Sequence, residues 1–200
     1  AVLAEIESRL CYPLFTKPAN AGSSVGVAKA HDRDELRQGL DLAARFDRKL
    51  LVETGIDARE IECSVLGNDE PIASVPGEVI PSNEFYDYSA KYIDNASGLE
   101  IPARLTEVQT KEVQALAIRA FTAIDCAGMA RVDFFLDRTT GKLYLNELNT
   151  IPGFTEISMY PKLWEASGLP YPRLLDRLIE LAIERREDKR RTQTRYEFDH

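Results

Sequence analysis

The chain has 200 residues, of which 44% are hydrophobic and 29% charged, and its formal net charge is −8 at pH 7. This composition is typical of a globular protein, and no apolar run approaches the roughly 20 residues of a membrane span. The acidic balance argues against non-specific nucleic-acid binding, which depends on lysine and arginine. Three widely spaced cysteines without a CxxC pattern predict free thiols in a reducing cytoplasm. We therefore expect neither a nucleic-acid nor a membrane partner.

The first half of the chain is predicted to be mostly strands. The strands that we predict here are 12–18, 25–30, 50–53, 60–66 and 71–80. A small-residue loop, 19–26, follows the first strand, and Asp32 with Glu35 forms a capping pattern that begins a helix. Residues 81–99 are polar and aromatic without a sustained period, which is typical of a functional lid or a disordered segment.

The second half contains two predicted helices around a hairpin. Thr106 with Gln109 caps the first helix, and Pro172 begins the last one, whose apolar stripe ends at Ile183. Between them, strands 130–136 and 142–148 flank a hairpin turn. Strands, helices and antiparallel hairpins together predict the α+β class.

The hairpin carries the most informative polar residues. Arg131, Asp133 and Phe135 share one face of their strand, and Glu147 and Asn149 share a face of the next. If the connecting loop has an odd number of residues, Arg131 lies opposite Glu147. Asp133 and Glu147 are then diagonal neighbours with Cα atoms about 7–8 Å apart, so their carboxylates could reach toward each other and hold Mg²⁺ between them. An even loop would send them to opposite faces, and a solvated face of mixed charge is the alternative to a metal site.

Other segments are less specific. Lys17 precedes the loop 19–26, whose backbone N–H groups could approach phosphate oxygens, although a surface loop beside an exposed lysine fits equally well. Lys91 is either a functional lysine or a solvated one under aromatic cover. The turn at Gly153 could aim its amide at an oxyanion or be only a turn, and Ser158 suggests nothing without context.

Six segments, in order and over nearly the whole chain, resemble the D-alanine–D-alanine ligase family. They are Lys17–Gly26, Glu60–Cys63, Phe85–Tyr92, Arg131–Asp133, Asn146–Thr155 and Ser158–Trp164. The resemblance implies an ATP-grasp fold, with a mostly antiparallel sheet and flanking helices. It places a partial central subdomain at 1–55, a complete C-terminal catalytic subdomain at 56–188 and a disordered charged tail at 189–200. The family's N-terminal domain is not in the sequence, so we expect a C-terminal fragment that is inactive alone.

The resemblance also implies roles for individual residues. Asp133, Glu147 and Asn149 would hold two Mg²⁺ ions, with Mn²⁺ as an alternative, and Ser158 and the Met159 amide would bind the carboxylate of the second D-alanine. The residues implied at the ATP site are Lys17, Ser23, Ser24, Glu53, Ile56, Glu60, Lys91, Phe135 and Asn146. The catalytic residues implied are Arg131, Gly153, Ser23 and Tyr92.

The implied activity is ATP-dependent ligation of two D-alanines through an acyl phosphate, for cytoplasmic synthesis of peptidoglycan precursors and hence for cell-wall biogenesis and cell shape. The full-length enzyme is expected to be a homodimer. Tyr92 favours the dipeptide over D-alanyl-D-lactate. The alternatives are a D-alanine–D-lactate ligase, another ATP-grasp carboxylate–amine ligase, and a non-catalytic ATP-binding fragment.

Overall fold

The computed structural model describes residues 2–80, 98–155 and 157–192. The predictions for Lys91 and Tyr92 lie outside these residues. The described chain forms two compact units, of which the first runs to Asp57 and the second comprises Ala58–Val79 and the described residues from Leu99 onward. Within these ranges no helix combines the length and apolar character required to cross a membrane.

The first unit is a three-stranded antiparallel sheet with two helices. Its elements are α1 (Val2–Arg9), β1 (Leu14–Pro18), β2 (Ala28–Ala30), α2 (Arg33–Ala43) and β3 (Leu50–Thr54). The strand order is β2-β1-β3. Asp32 caps α2 as predicted, because its side chain accepts hydrogen bonds from the Asp34 and Glu35 amides. We did not predict α1, a short helix that is held in place because Leu3 and Ile6 pack against the small core of this unit.

The second unit contains the larger sheet. Its strands are β4 (Ala58–Gly67), β5 (Ile72–Ala73), β6 (Gly77–Ile80), β7 (Gly98–Glu100), β8 (Gly128–Asp137) and β9 (Leu143–Asn149). The order is β7-β6-β4-β8-β9, with β5 paired to β4. The predicted strand 71–80 is two strands, because the Val75 amide donates to Ser167 Oγ instead of the ladder and Pro76 has no N–H to donate.

Three helices flank this sheet. They are α3 (Glu107–Ala123), α4 (Met159–Ala166) and α5 (Tyr171–Arg190). Thr106 and Gln109 form the predicted capping box of α3. Met159 and Trp164 are both buried, and they belong to α4, whose Pro161 is tolerated in the first turn.

The last helix is longer than its apolar stripe suggested. It continues through Lys189 and Arg190, which we placed in the charged tail. Charge pairs one turn apart support the extension, among them Arg185 with Asp188. Residues 193–200 of the predicted tail lie outside the described residues.

The two faces of the large sheet differ in what covers them. One face packs against α3 in the main core, where Ile61, Val132 and Phe134 are buried. At one end of the other face, Leu66 packs with Tyr160 of α4 and with the buried leucines of α5. Farther along β4 and β8, the same face carries mainly charged residues.

Candidate functional site

The β8–β9 hairpin brings the predicted carboxylates together, but not in the predicted register. Asp133 lies directly opposite Glu147, and Arg131 lies opposite Asn149. Our expectation that Arg131 faces Glu147, with the two carboxylates diagonal, was therefore wrong. Near the turn, Leu136 pairs with Leu143, so the connection has an even length that alone would send the carboxylates to opposite faces.

A β-bulge restores the common face. The register shifts between Asp133, which pairs with Glu147, and Phe134, which pairs with Leu145. Asn146 is therefore the extra residue of β9. Asn146, which the family resemblance assigned to the nucleotide, is thus the exposed bulge residue of this hairpin.

Glu62 joins the two carboxylates in a row across three strands. It lies opposite Asp133 on β8, which in turn lies opposite Glu147 on β9. We quoted Glu62 within a family segment but gave it no role. The available signal was its spacing from Glu60, since residues two apart on a strand share a face. Glu60 itself lies opposite Phe135 on this face, so these two predicted nucleotide residues are neighbours.

Arg131 is the cation at the centre of this polar face. Its Nε and Nη2 donate to the two oxygens of Asp133 over 2.7 and 2.8 Å. Oε2 of Glu62 lies 3.0 Å from the same Nε. Asn149 Nδ2 donates to Asp133 Oδ2 over 2.9 Å and to Glu147 Oε1 over 3.4 Å. The polar face is hereafter these five residues.

Burial makes these charges interact strongly. The side chains of Glu62, Asp133 and Arg131 are 14%, 13% and 21% exposed. Burial alone would lower the pKa of Arg131, but the carboxylates of Asp133, Glu62 and Glu147 outweigh it and raise that pKa above its ordinary value. Arg131 is therefore a permanent cation, and the three acidic residues Glu62, Asp133 and Glu147 outnumber it on this face.

The polar face fits a divalent cation. Asp133, Glu147 and Asn149 offer the hard oxygen donors that Mg²⁺ prefers, and a divalent ion would neutralise the remaining charge. Rotating the Asn149 amide would replace its nitrogen with its oxygen on the side of the carboxylates. Across the described ranges, no three His, Cys, Asp or Glu side chains converge closely enough to hold a metal ion. An ion here would therefore take Asn149 or non-protein ligands besides the two carboxylates.

The predicted acceptor residues lie together before α4. Ser158 Oγ accepts a hydrogen bond of 3.0 Å from the Thr155 amide, and a Cβ on Gly153 would lie 2.9 Å from that Oγ. Ser158 is the N-cap residue of α4, but its side chain makes no capping hydrogen bond. The Met159 amide belongs to the first helical turn, whose N–H groups have no partner within the helix. This geometry suits a carboxylate or an oxyanion.

Gly77 allows α4 to approach the sheet closely. It lies on β6, directly opposite Glu62 of β4. A Cβ at this position would meet Leu163 Cδ2 at 2.8 Å and Met159 Sδ at 3.1 Å. The absence of a side chain at Gly77 thus sets how near Ser158 and Met159 come to the strand that carries Glu62.

In the first unit, Lys17, which is predicted to contact the ATP phosphates, forms an ion pair with Glu53, which is predicted to contact the adenine. Lys17 Nζ lies 2.7 Å from Glu53 Oε2, and the two residues are on the adjacent strands β1 and β3. Ile56 follows β3 and is half-buried.

The small-residue loop of the first unit is a tight turn. Ser23 and Ser24 have positive φ angles of 54° and 58°, and the Val25 amide donates to the Gly22 carbonyl over 3.1 Å. Positive φ at both central positions is typical of a type I′ turn and is unusual for serine. Asp47 anchors the loop by accepting hydrogen bonds from Asn20, and its pKa is lowered by the Lys49 amide and by Asn20.

The fold and the polar face define an α+β protein of the ATP-grasp type, as predicted. The family model described as D-ala D-ala ligase C-terminus matches residues 1–180. The chain therefore belongs to the D-alanine–D-alanine ligase family, represented by its C-terminal part.

Relatives with this name are similar over most of the chain. The D-alanine–D-alanine ligase of Thermoanaerobacter sp. (strain X514) is 62% identical over 190 residues, which are 94% of this chain and 53% of the relative. That of Acetivibrio thermocellus is 58% identical over 187 residues, which are 94% of this chain and 50% of the relative. The chain thus spans about half the length of the curated relatives it matches.

Solved structures support the same assignment. The D-alanine–D-alanine ligase from Coxiella burnetii is 44% identical with a TM-score of 0.82, and the match covers 96% of this chain and 50% of that one. The VanG D-Ala:D-Ser ligase from Enterococcus faecalis is 41% identical with a TM-score of 0.81, over 90% of this chain and 52% of that one.

Proposed function

We propose that this chain provides the metal-binding and part of the nucleotide-binding machinery for ATP-dependent ligation of two D-alanines to D-alanyl-D-alanine. The observation that carries the proposal is the polar face, on which Asp133, Glu147 and Asn149 offer oxygen donors beside the fixed cation Arg131. The names of the relatives support the choice of D-alanine as substrate.

The chemistry explains why such a face is useful. A carboxylate is a poor acyl donor, so the γ-phosphoryl group of ATP is first transferred to it, which gives an acyl phosphate. The amine of the second D-alanine then attacks, and phosphate leaves. Phosphoryl transfer depends mainly on positioning and on neutralising charge. Bound Mg²⁺ would supply Lewis acidity and charge neutralisation, held by Asp133, Glu147 and Asn149.

The remaining residues are assigned to charge stabilisation and substrate binding. Arg131 and the Gly153 amide stabilise the oxyanion that forms when the amine attacks. Ser158 and the Met159 amide bind the carboxylate of the second D-alanine, at the N-terminal end of α4. Lys17 contributes positive charge to the ATP phosphates after exchanging its partner Glu53 for them.

Nucleotide binding completes the proposal. The residues that we assign to ATP besides Lys17 are Ser23, Ser24, Glu53, Ile56, Glu60, Phe135 and Asn146, and outside the described residues Lys91. We assign Tyr92 to the first substrate. We place the reaction in the cytoplasm, in peptidoglycan precursor synthesis, and propose that the full-length enzyme is a homodimer.

A second acceptor is worth testing alongside D-alanine. The structural neighbour named as a D-Ala:D-Ser ligase is about as similar to this chain as the neighbour named as a D-alanine–D-alanine ligase, with TM-scores of 0.81 and 0.82. D-serine differs from D-alanine by one hydroxyl group, and a pocket rejects such an addition only weakly unless polar groups are arranged against it.

The test is a chimera. The half of the Acetivibrio thermocellus relative that this chain does not match is fused to the chain, which is 58% identical to the matching half. Purified chimera and isolated chain are each supplied with Mg·ATP and D-alanine, D-serine or D-lactate, and the ligation product and phosphate are measured. We expect D-alanyl-D-alanine from the chimera and none from the isolated chain.

The matched controls decide which part of the proposal fails. A chimera with Asp133→Asn should lose product formation, whereas Glu112→Gln, an exposed site on α3, should not. Product made by the Asp133→Asn chimera would contradict the metal assignment. A preference for D-serine or D-lactate would contradict the assigned acceptor, and product from the isolated chain would contradict the requirement for the other half.

A further inference from the structure

The hydrogen bonds of Asp133 compete with a metal ion for its carboxylate oxygens. Arg131 binds both carboxylate oxygens of Asp133, and Asn149 Nδ2 shares one of them. A metal ion that binds Asp133 requires at least one of these oxygens. A guanidinium that lost its carboxylate here without replacement would be a buried, unpaired charge, which is costly.

Glu62 is placed to relieve this competition. Its Oε2 lies 3.0 Å from Arg131 Nε, the nitrogen that donates to Asp133 Oδ1. Glu62 and Asp133 are directly opposite each other on neighbouring strands, so Arg131 has a carboxylate on either side. A small rotation of the guanidinium would move the Nε–H from one to the other without separating charges.

Glu62 does not itself complete a metal cluster. It lies at the end of the row away from Glu147, with Asp133 between them. No group of three acidic, histidine or cysteine side chains among the described residues is close enough to hold an ion. Its side chain is nevertheless only 14% exposed. A charged group in this environment needs a close cationic partner, and Arg131 provides one.

We propose that Glu62 is a positioning residue that takes over Arg131 when Asp133 binds the metal. The inference rests on the proposed metal site and adds to it a partner exchange: Asp133 gives up the Arg131 Nε–H, Glu62 accepts it, and one Asp133 oxygen becomes available. Glu62 thereby keeps Arg131 paired and oriented beside the acyl centre throughout the reaction.

The exchange predicts that Glu62 controls metal affinity through Arg131. In Glu62→Gln the alternative acceptor loses its charge, so freeing Asp133 becomes more difficult, and the chain should bind Mg²⁺ about tenfold more weakly, as changes behind metal ligands commonly do. Isothermal titration of the 200-residue chain with MgCl₂ measures this. Glu112→Gln, which makes the same charge change on the surface of α3, is the control and should bind as wild type.

A thermodynamic cycle separates the exchange from simple attraction between Glu62 and the ion. Arg131→Lys keeps the positive charge but removes the fork that binds two carboxylates. In that background, Glu62→Gln should change Mg²⁺ affinity by no more than about twofold, because the exchange no longer exists. An equal loss in both backgrounds would overturn the proposal, since Glu62 would then act by charge alone.

A spectroscopic measurement on the wild-type chain needs no variant. The Arg131 Nε–H signal in a ¹⁵N-labelled sample should shift during the Mg²⁺ titration and remain protected from exchange with water, because its acceptor changes from Asp133 to Glu62. A signal that does not move while the ion binds would overturn the exchange alone. Failure of the wild-type chain to bind Mg²⁺ would instead overturn the metal site, and the exchange with it.

Discussion

Arg131 holds the polar face together at the scale of single residues. It is the cation between two largely buried carboxylates, those of Glu62 and Asp133, and both contribute to the rise in its pKa. Removing either carboxylate leaves it with the other, whereas removing Arg131 would leave two carboxylates facing each other on neighbouring strands. Such like-charged cross-strand pairs are destabilising. Arg131 therefore serves both the stability of the sheet and the proposed chemistry.

Cys63 gives a prediction at the same scale. Its thiol is fully buried in the main core, and burial raises its pKa from 9.0 to about 12. Between these values the unfolded chain loses a proton that the folded chain keeps, so the free energy of unfolding must fall as pH rises. The slope is about 1.4 kcal/mol per pH unit for one group. Cys63→Ala should flatten the decline in alkaline urea unfolding.

The exposed Cys11 provides the control for this measurement. Cys11→Ala should leave the alkaline decline as it is in the wild type. Equal slopes for wild type and Cys63→Ala between pH 9 and 11 would contradict the account. Thiol reagents should modify Cys11 in the native chain and reach Cys63 only after unfolding.

The identities of the polar residues could be predicted from the sequence, but the role of Glu62 could not. Arg131, Asp133, Glu147 and Asn149 stand out because polar residues alternate along strongly apolar strands. Glu62 lies about seventy residues earlier in the chain, and only the pairing of β4 with β8 brings it to Asp133. Pairing between distant strands leaves no local pattern in the sequence.

At the scale of elements, the bulge at Asn146 shows that strand periodicity alone does not predict the pairing register of a hairpin. The alternation of β8 and β9 predicted the shared faces, yet the connection and the bulge had to be known together to give the register. An even connection plus one extra residue has the same effect on facing as an odd connection. The shared face of Asp133 and Glu147 was therefore predicted correctly, but the cross-strand pairs were not.

The short helices α1 and α4 were not predicted for a related reason. Each has eight residues, too few to be stable by intrinsic propensity. Tertiary packing stabilises them instead: α4 buries Tyr160, Leu163 and Trp164, and Tyr160 Oη donates to the Val65 carbonyl over 3.0 Å. The longer helices α2 and α3 carry capping residues and could be predicted from those.

The close approach of α4 to β6 at Gly77 can be tested by substitution. Gly77→Ala should lower the free energy of unfolding by about 1–3 kcal/mol, because the new methyl group overlaps Leu163 and Met159. The displaced α4 should also carry Ser158 and Met159 away, which in the chimera would raise KM for the second D-alanine. Urea unfolding and steady-state kinetics measure the two effects.

Gly22→Ala is the matched control for stability, because no heavy atom lies within 4 Å of its added Cβ. We expect its free energy of unfolding to stay within about 0.5 kcal/mol of wild type. A Gly77→Ala chain as stable as Gly22→Ala would show that α4 does not depend on the close approach to β6.

At the scale of the whole molecule, the predicted site residues are distributed over two compact units. Lys17, Ser23, Ser24 and Glu53 belong to the first, and the polar face belongs to the second. The order of motifs along the chain predicted the family, which the match to residues 1–180 confirmed. Physical reasoning on the hairpin alone reached only a magnesium site, because substrate identity depends on segments that have no distinctive physical pattern.

The polar face is proposed to hold the metal ion that accompanies ATP. The most direct measurement is isothermal titration of Mg·ATP into the 200-residue chain and into Glu147→Gln, with Glu112→Gln as the control. Glu147 is exposed, and the hydrogen bond that it accepts from Asn149 is long at 3.4 Å, so the substitution should leave the fold intact. We predict that wild type and Glu112→Gln bind Mg·ATP, and that Glu147→Gln binds at least about tenfold more weakly. Equal binding by all three chains would contradict the account.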